Sequence, residues 1–189
     1  MPKEIRSRIG RTLPHERPAA PWLVDESNRS NGLRRVNYFT GQMLTVDDLK
    51  AEQDYVRTRL RRFNLSSLGV GVVSGLAVSI SKDGKSIEVA PGLAIGPSGD
   101  EIAVTSPQSI ASPTTDQAVL VQIRYAEKLC DPVPTQTDLR GSEIQHSRVL
   151  ETFELIVSTA VLSDAIVIAE LRRTRLRWSI ARRAKAKRR

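Results

Sequence analysis

Residues 45–64 read TVDDLKAEQDYVRTRLRRFN and contain neither glycine nor proline. Thr45 is a typical helix N-cap, because its hydroxyl can accept a hydrogen bond from an amide of the first turn. The carboxylates of Asp47 and Asp48 stand where the positive end of the helix dipole favours negative charge. The stretch therefore predicts a capped amphipathic helix that begins after Thr45, within a segment that we bound at residues 37–66.

One side of this helix carries a row of residues spaced alternately three and four apart, with Gln53 as its only polar member. The row consists of Val46, Leu49, Gln53, Val56, Leu60 and Phe63. This is the a/d spacing of a helix bundle, but it lasts only about two and a half heptads. A helix packed on the chain's own sheet has the same pattern, so both interpretations stay open.

The other side of the helix is basic. It carries Lys50, Arg57, Arg59, Arg61 and Arg62. Charges spread in this way along a helix favour a solvated or protein-contacting face over a nucleic-acid groove.

After the helix the pattern changes to short strands over residues 67–171. Leu76, Val78 and Ile80 alternate as in a half-buried strand, and turn sequences follow at residues 82–85 and 97–100. Further strands are predicted at Ala118–Tyr125, Thr152–Val157 and, as the last one, Ala165–Leu171. The first two are separated by a long polar segment that contains Asp131-Pro132-Val133-Pro134, which we interpret as a loop.

Residues 1–36 are predicted to form an extended arm, because prolines at positions 2, 14, 18 and 21 interrupt any helical or strand period. The arm carries Trp22, Leu23 and Val24 among polar residues. These three side chains either dock on a neighbouring subunit or pack on the chain's own body, and the sequence leaves both open.

The net charge of +8 is concentrated at residues 172–189, a basic tail without an acidic residue. The tail holds Arg172, Arg173, Arg175, Arg177, Arg182, Arg183, Lys185, Lys187, Arg188 and Arg189. The rest of the chain has 19 basic against 21 acidic residues, a net charge of −2. Such a tail can bind phosphates by counterion release, although it lacks the interleaved aromatic residues of a single-strand binder. It can equally dock on an acidic partner.

The residues that usually carry catalysis or metal binding do not form a site. His15 and His146 are isolated, and neither stands at metal-ligand spacing from Cys130. The glycines of residues 69–75 miss the dinucleotide fingerprint by one position. We therefore expect no catalytic residue, no metal and no cofactor. No apolar stretch reaches the roughly 18 residues of a membrane span, and Met1–Arg6 lacks a secretory signal, which predicts synthesis in the cytoplasm.

Several short motifs resemble uncharacterised structural proteins encoded with phage-tail-like contractile injection systems and prophage tails. The motifs are NYFTGQMLTVDDL (37–49), EQDY (52–55), RRFN (61–64), GVGVVSGL (69–76), PGLAI (91–95), GDEI (99–102), RYAE (124–127) and DPVP (131–134). The resemblance spans roughly residues 36–171, but residues 64–68 and the basic tail depart from the pattern. It implies a baseplate, fibre-attachment, cap or cage component of a large particle.

The sequence thus predicts an α+β protein with an extended N-terminal arm, one amphipathic helix, an antiparallel β-rich domain and a basic C-terminal tail. The main hypothesis is a non-catalytic subunit of a contractile injection system or phage-tail-like particle, a virion component that is released with the particle. The chain would contact other subunits through the arm and tail and itself through the helix, with a trimer as the first expectation. The alternative is a small nucleic-acid-binding protein that uses the tail.

Overall fold

A computed structural model describes residues 32–136, 142–174 and 177–186. These residues form one helix and ten strands: α1 (Val46–Ser67), β1 (Gly71–Gly75), β2 (Val78–Ile80), β3 (Ser86–Val89), β4 (Gly92–Ile95), β5 (Glu101–Val104), β6 (Gln108–Ala111), β7 (Val119–Gln136), β8 (Ser142–Ser158), β9 (Ile166–Thr174) and β10 (Arg177–Arg183). The predicted α+β class is confirmed for this part of the chain. Most of the predicted arm, with Trp22, lies outside the described residues. So do Arg175, Lys187, Arg188 and Arg189 of the tail.

The strands form three antiparallel sheets, with the orders β1-β4-β5, β2-β3-β6 and β10-β9-β7-β8. Alternation decides which side chains enter the core, as in β5, where Ile102 and Val104 are buried and Glu101 and Ala103 are exposed. The core collects Val, Ile, Leu and Ala side chains from all three sheets. Among the described residues, no apolar side chain of α1 belongs to it.

The stretch that begins at Val70 is divided between two sheets. β1 ends at Gly75 and β2 begins at Val78, and the backbone φ angles of Gly75 and Leu76 are +63° and +54°. A Cβ atom at Gly75 would collide with the carbonyl oxygen of Pro91. Glycine at this position therefore allows the chain to turn sharply from one sheet into the next.

The prediction of a long polar loop around residues 131–134 is wrong. β7 and β8 pair continuously from Leu120 opposite Ser158 to Gln136 opposite Ser142. β9 pairs with β7 only as far as Ile123, so the rest of β7 and β8 forms a two-stranded ribbon, which we call the ribbon. Prolines are tolerated in strands that lack a partner on one side, which explains why Pro132 and Pro134 do not end β7.

The strands also continue beyond Leu171, the predicted end of the last one. β9 extends to Thr174, and β10 pairs with it from Arg177 opposite Thr174. Trp178 and Ile180 pack against the core, which accounts for their spacing of two. The predicted start of the basic tail thus lies within β9, and part of the tail forms an edge strand.

Candidate assembly interface on helix α1

Helix α1 begins at a capping box. The backbone N–H of Asp48 donates to Thr45 Oγ1 (3.2 Å), and the backbone N–H and the hydroxyl of Thr45 donate to Asp48 Oδ2 (2.9 and 2.8 Å). The backbone and then the side-chain hydrogen bonds from Thr45 lower the pKa of Asp48. The predicted cap at Thr45 is confirmed, and Asp48 completes it.

The heptad row of α1 is exposed to solvent. Its five apolar members are between 53% and 65% exposed, and Gln53 is exposed as well. The interpretation that this row packs on the chain's own sheet is therefore wrong for the described residues. Tyr38, Phe39, Met43 and Leu44, which precede the helix, are also exposed. Large exposed apolar patches usually mark protein interaction sites.

The side of α1 next to the row, about a quarter turn away, attaches to the turn between β4 and β5. Arg61 Nε donates to Asp100 Oδ1 at 2.7 Å, and the hydroxyl of Ser98 donates to the other carboxylate oxygen of Asp100 at 2.6 Å. Asn64 Nδ2 donates to the carbonyl oxygen of Gly99 at 3.0 Å. Asn64 is the only residue of α1 that is buried. Polar contacts therefore hold the helix where apolar packing normally would.

Gly99 allows the turn to approach the helix closely. Its φ angle is +91°, and a Cβ atom built on it would lie 2.6 Å from the carbonyl oxygen of Arg61. Only glycine adopts this conformation without strain and leaves room for the helix backbone. The sequence identified residues 97–100 as a turn, but it gave no sign that the turn contacts a helix.

A second polar contact ties α1 to the base of the ribbon. Arg57 Nη1 lies 3.1 Å from Glu127 Oε1. The same oxygen accepts a hydrogen bond of 2.9 Å from the hydroxyl of Tyr125. Burial and this hydrogen bond raise the pKa of Tyr125 above its usual value, so the phenol stays protonated as a donor. Arg57 and Arg61 of the basic side thus contact the protein body. The sequence had favoured such a face over a nucleic-acid groove.

Part of the basic tail is already paired with acidic residues. Arg172 pairs with Glu170 at 2.9 Å, and Arg173 pairs with Asp116. Arg177, Arg182, Arg183 and Lys185 are exposed, and none of them forms an ion pair with another described residue. The described part of the tail therefore offers fewer unpaired cations than the sequence count suggests.

The described residues bring together no group of three His, Cys, Asp or Glu side chains that could hold a metal ion. Among them, no helix is both long and apolar enough to cross a membrane. The main geometric feature is therefore a helix that attaches to the body through polar residues and leaves the apolar row beside them exposed.

The fold is similar to that of chains in solved structures of the type VI secretion baseplate. A chain of "the baseplate complex from the type VI secretion system" is 10% identical and has a TM-score of 0.51, over 79% of this chain and 58% of that one. A chain of the TssK-TssF-TssG baseplate subcomplex is 13% identical and has a TM-score of 0.49, over 79% of this chain and 60% of that one. The crystal structure of TssK is 13% identical and has a TM-score of 0.47, over 79% of this chain and 41% of that one.

The likeness is one of fold. The chain spans at most about 60% of the length of these proteins, and only the first comparison has a TM-score above 0.5. No model of a protein family matches the sequence, and no curated protein matches it either. The structural neighbours nevertheless belong to the kind of contractile system that the sequence motifs had suggested.

Proposed function

We propose that this chain is a non-catalytic structural subunit of the baseplate region of a contractile injection system or a related phage-tail-like particle. The observation that carries the proposal is the heptad row of α1, which stays exposed while Arg61 and Asn64 attach the helix to the body. The fold likeness to type VI secretion baseplate proteins supports it.

The row fits self-association about a symmetry axis. Each apolar side chain that passes from half exposed to buried contributes on the order of 1 kcal/mol, and five of them lie along one side of the helix. Gln53, at the middle of the row, would meet the Gln53 side chains of the other copies. A single polar residue at such a position fixes register and oligomeric state. A trimer is the expected assembly.

On this proposal the chain is made in the cytoplasm and becomes part of a large particle that can be released. It uses no cofactor, and its contacts are with copies of itself and with other particle subunits. Nucleic-acid binding through the basic tail is the less favoured function, because Arg172 and Arg173 already pair with acidic side chains.

Light scattering at tens of micromolar tests the self-association. We expect a trimer for the unchanged chain and a monomer for Leu49→Asp/Leu60→Asp, because two charges in the row cannot be buried unpaired. The matched control is Leu129→Asp/Leu150→Asp, since these leucines of the ribbon are as exposed as the first pair. It should remain a trimer. A monomeric unchanged chain, or a row variant of unchanged mass, would contradict self-association through α1.

A further inference from the structure

A groove of about 1010 Å³ lies beside the end of β10. Its apolar lining includes Leu120, Val161, Val167 and Ile180, and the basic residues Arg182, Arg183 and Lys185 also border it. We call it the β10 groove. Its volume is at the upper end of the range of ligand clefts, about 300–1,000 Å³, which suits a peptide segment better than a small molecule.

The basic side of the groove is held in place by the sheet. A bulge between Ile180 and Arg182 interrupts the pairing of β10 with β9. Beyond it, the backbone N–H of Ala184 donates to the carbonyl oxygen of Ile168 at 2.8 Å and keeps the chain beside β9. Arg182 and Arg183 therefore stand at defined positions next to the apolar lining.

The charge of the groove is positive. Glu170 is the only acidic residue among the described residues that line it, and Arg172 already pairs with Glu170 at 2.9 Å. Arg182, Arg183 and Lys185 are exposed and have no ionic partner among the described residues. The matching ligand is an extended segment in which apolar side chains are followed directly by acidic ones.

Residues 22–26 of this chain, Trp22-Leu23-Val24-Asp25-Glu26, have this order. We propose that the β10 groove binds the Trp22–Glu26 segment of a second copy, with the apolar side chains on the lining and the carboxylates beside Arg182 and Arg183. The inference rests on the proposed function, in which copies of the chain contact one another.

Such a contact is heterologous, because the segment and the groove are different parts of the chain. Each copy gives one segment and receives another, so repetition closes a ring when the rotation between copies allows it. The contact uses residues other than the α1 row, and both can act in one assembly. Its exposed ion pairs are too weak to join copies alone at tens of micromolar, so the row variant is still expected to be a monomer. The same ion pairs predict binding that weakens with salt.

Photo-crosslinking of the full-length chain tests the contact. The probe is p-benzoylphenylalanine in place of Trp22, and unlabelled and ¹⁵N-labelled copies are mixed before irradiation. We expect crosslinks to peptides that carry the groove residues, in mixed light and heavy pairs. Crosslinks elsewhere, no crosslinks, or only light–light and heavy–heavy pairs would overturn the proposal, the last because the arm would then bind its own body.

A charge exchange sharpens this test. Arg182→Glu/Arg183→Glu should lower the crosslink yield roughly fivefold, and Asp25→Arg/Glu26→Arg should do the same. The two pairs combined should restore the yield. Lys128→Glu/Arg148→Glu, on exposed residues of the ribbon, is the control and should leave the yield unchanged. A combined variant that fails to recover would overturn the proposed pairing.

The results separate this inference from the proposed function. If the trimer depends on the α1 row but the crosslinks fall outside the groove, only the proposed arm contact is contradicted. If Leu49→Asp/Leu60→Asp leaves the mass unchanged and mixed crosslinked pairs still form at the groove, the arm contact is supported and the role of α1 is contradicted.

Discussion

Helix α1 contacts the protein body through polar residues and exposes its apolar row, whereas most surface helices bury their apolar residues. The side on the body is polar and is attached through Arg61 and Asn64, whereas the heptad row faces solvent. In an ordinary surface helix the apolar stripe faces the core. The comparison shows that amphipathic spacing reveals which residues share a side of a helix, but not which side the fold buries.

The largest effect on the attached side is expected from Asp100→Ala. The side chain of Asp100 is 8% exposed and that of Arg61 32%, so removal of the carboxylate leaves a partly buried cation unpaired. We expect the free energy of unfolding to fall by about 2 to 3 kcal/mol. Urea denaturation measures it at one low protein concentration, because self-association raises apparent stability.

Asp164→Ala is the matched control for that change. Asp164 also pairs with an arginine, Arg124 at 2.9 Å, but its side chain is 58% exposed. Its removal should have a far smaller effect. Equal losses for the two variants would mean that the contact of α1 with the turn is no stronger than a surface ion pair.

Gly99→Ala should have the next largest effect. The added Cβ would lie 2.6 Å from the backbone of Arg61, at a φ angle that is strained for alanine. A loss of about 2 kcal/mol is expected from strain and displacement of the helix together. Gly84→Ala separates the two causes, since Gly84 also has a positive φ angle, +71°, but nothing within 4 Å of its Cβ position. A similar loss in both variants would exclude a close approach at Gly99.

A smaller, local effect is expected at the helix start as the pH falls. The pKa of Asp48 is lowered from its ordinary value of 3.8 by the hydrogen bonds from Thr45. The stabilisation is therefore fully present above 3.8 and is lost as the pH falls through the lowered pKa. Amide chemical shifts of residues 46–50 in an acid titration should report loss of the first turn. Asp48→Asn should lack this transition, and its persistence there would assign it to another group.

The smallest effect on the free energy of unfolding is expected from a change in the heptad row. In a chain kept monomeric by dilution, Val56→Ser should change the free energy of unfolding by less than about 0.5 kcal/mol, because Val56 is 55% exposed. Thermal or urea unfolding measures this directly. A loss of several times that size would show that the row packs on the chain itself in solution.

Local signals in the sequence predicted the helix and its cap, because Thr45 and Asp48 are only three residues apart. The attachment of α1 could not be predicted. Arg61 and Asp100 are 39 residues apart in the chain and meet only through the placement of the β4–β5 turn. Nothing in the neighbours of either residue indicates that contact, and the heptad row alone suits both an inward and an outward helix.

The errors at the two long hairpins have a common physical cause. Asp131-Pro132-Val133-Pro134 has the composition of a loop, yet it lies in a strand that has a partner on one side only. The basic residues of β10 have the composition of a tail, yet Trp178 and Ile180 reach the core. In both segments the pairing partner, not local propensity, decides the structure.

The polar attachment of α1 has a mechanical consequence. No apolar side chain of the helix lies in the described core, so α1 can separate from the sheets without opening them to water. A pull on the helix would load the contacts of Arg61, Asn64 and Arg57 before it loaded the strands. These contacts can re-form once the load is released. The joint between helix and body would thus behave as a reversible coupling under load.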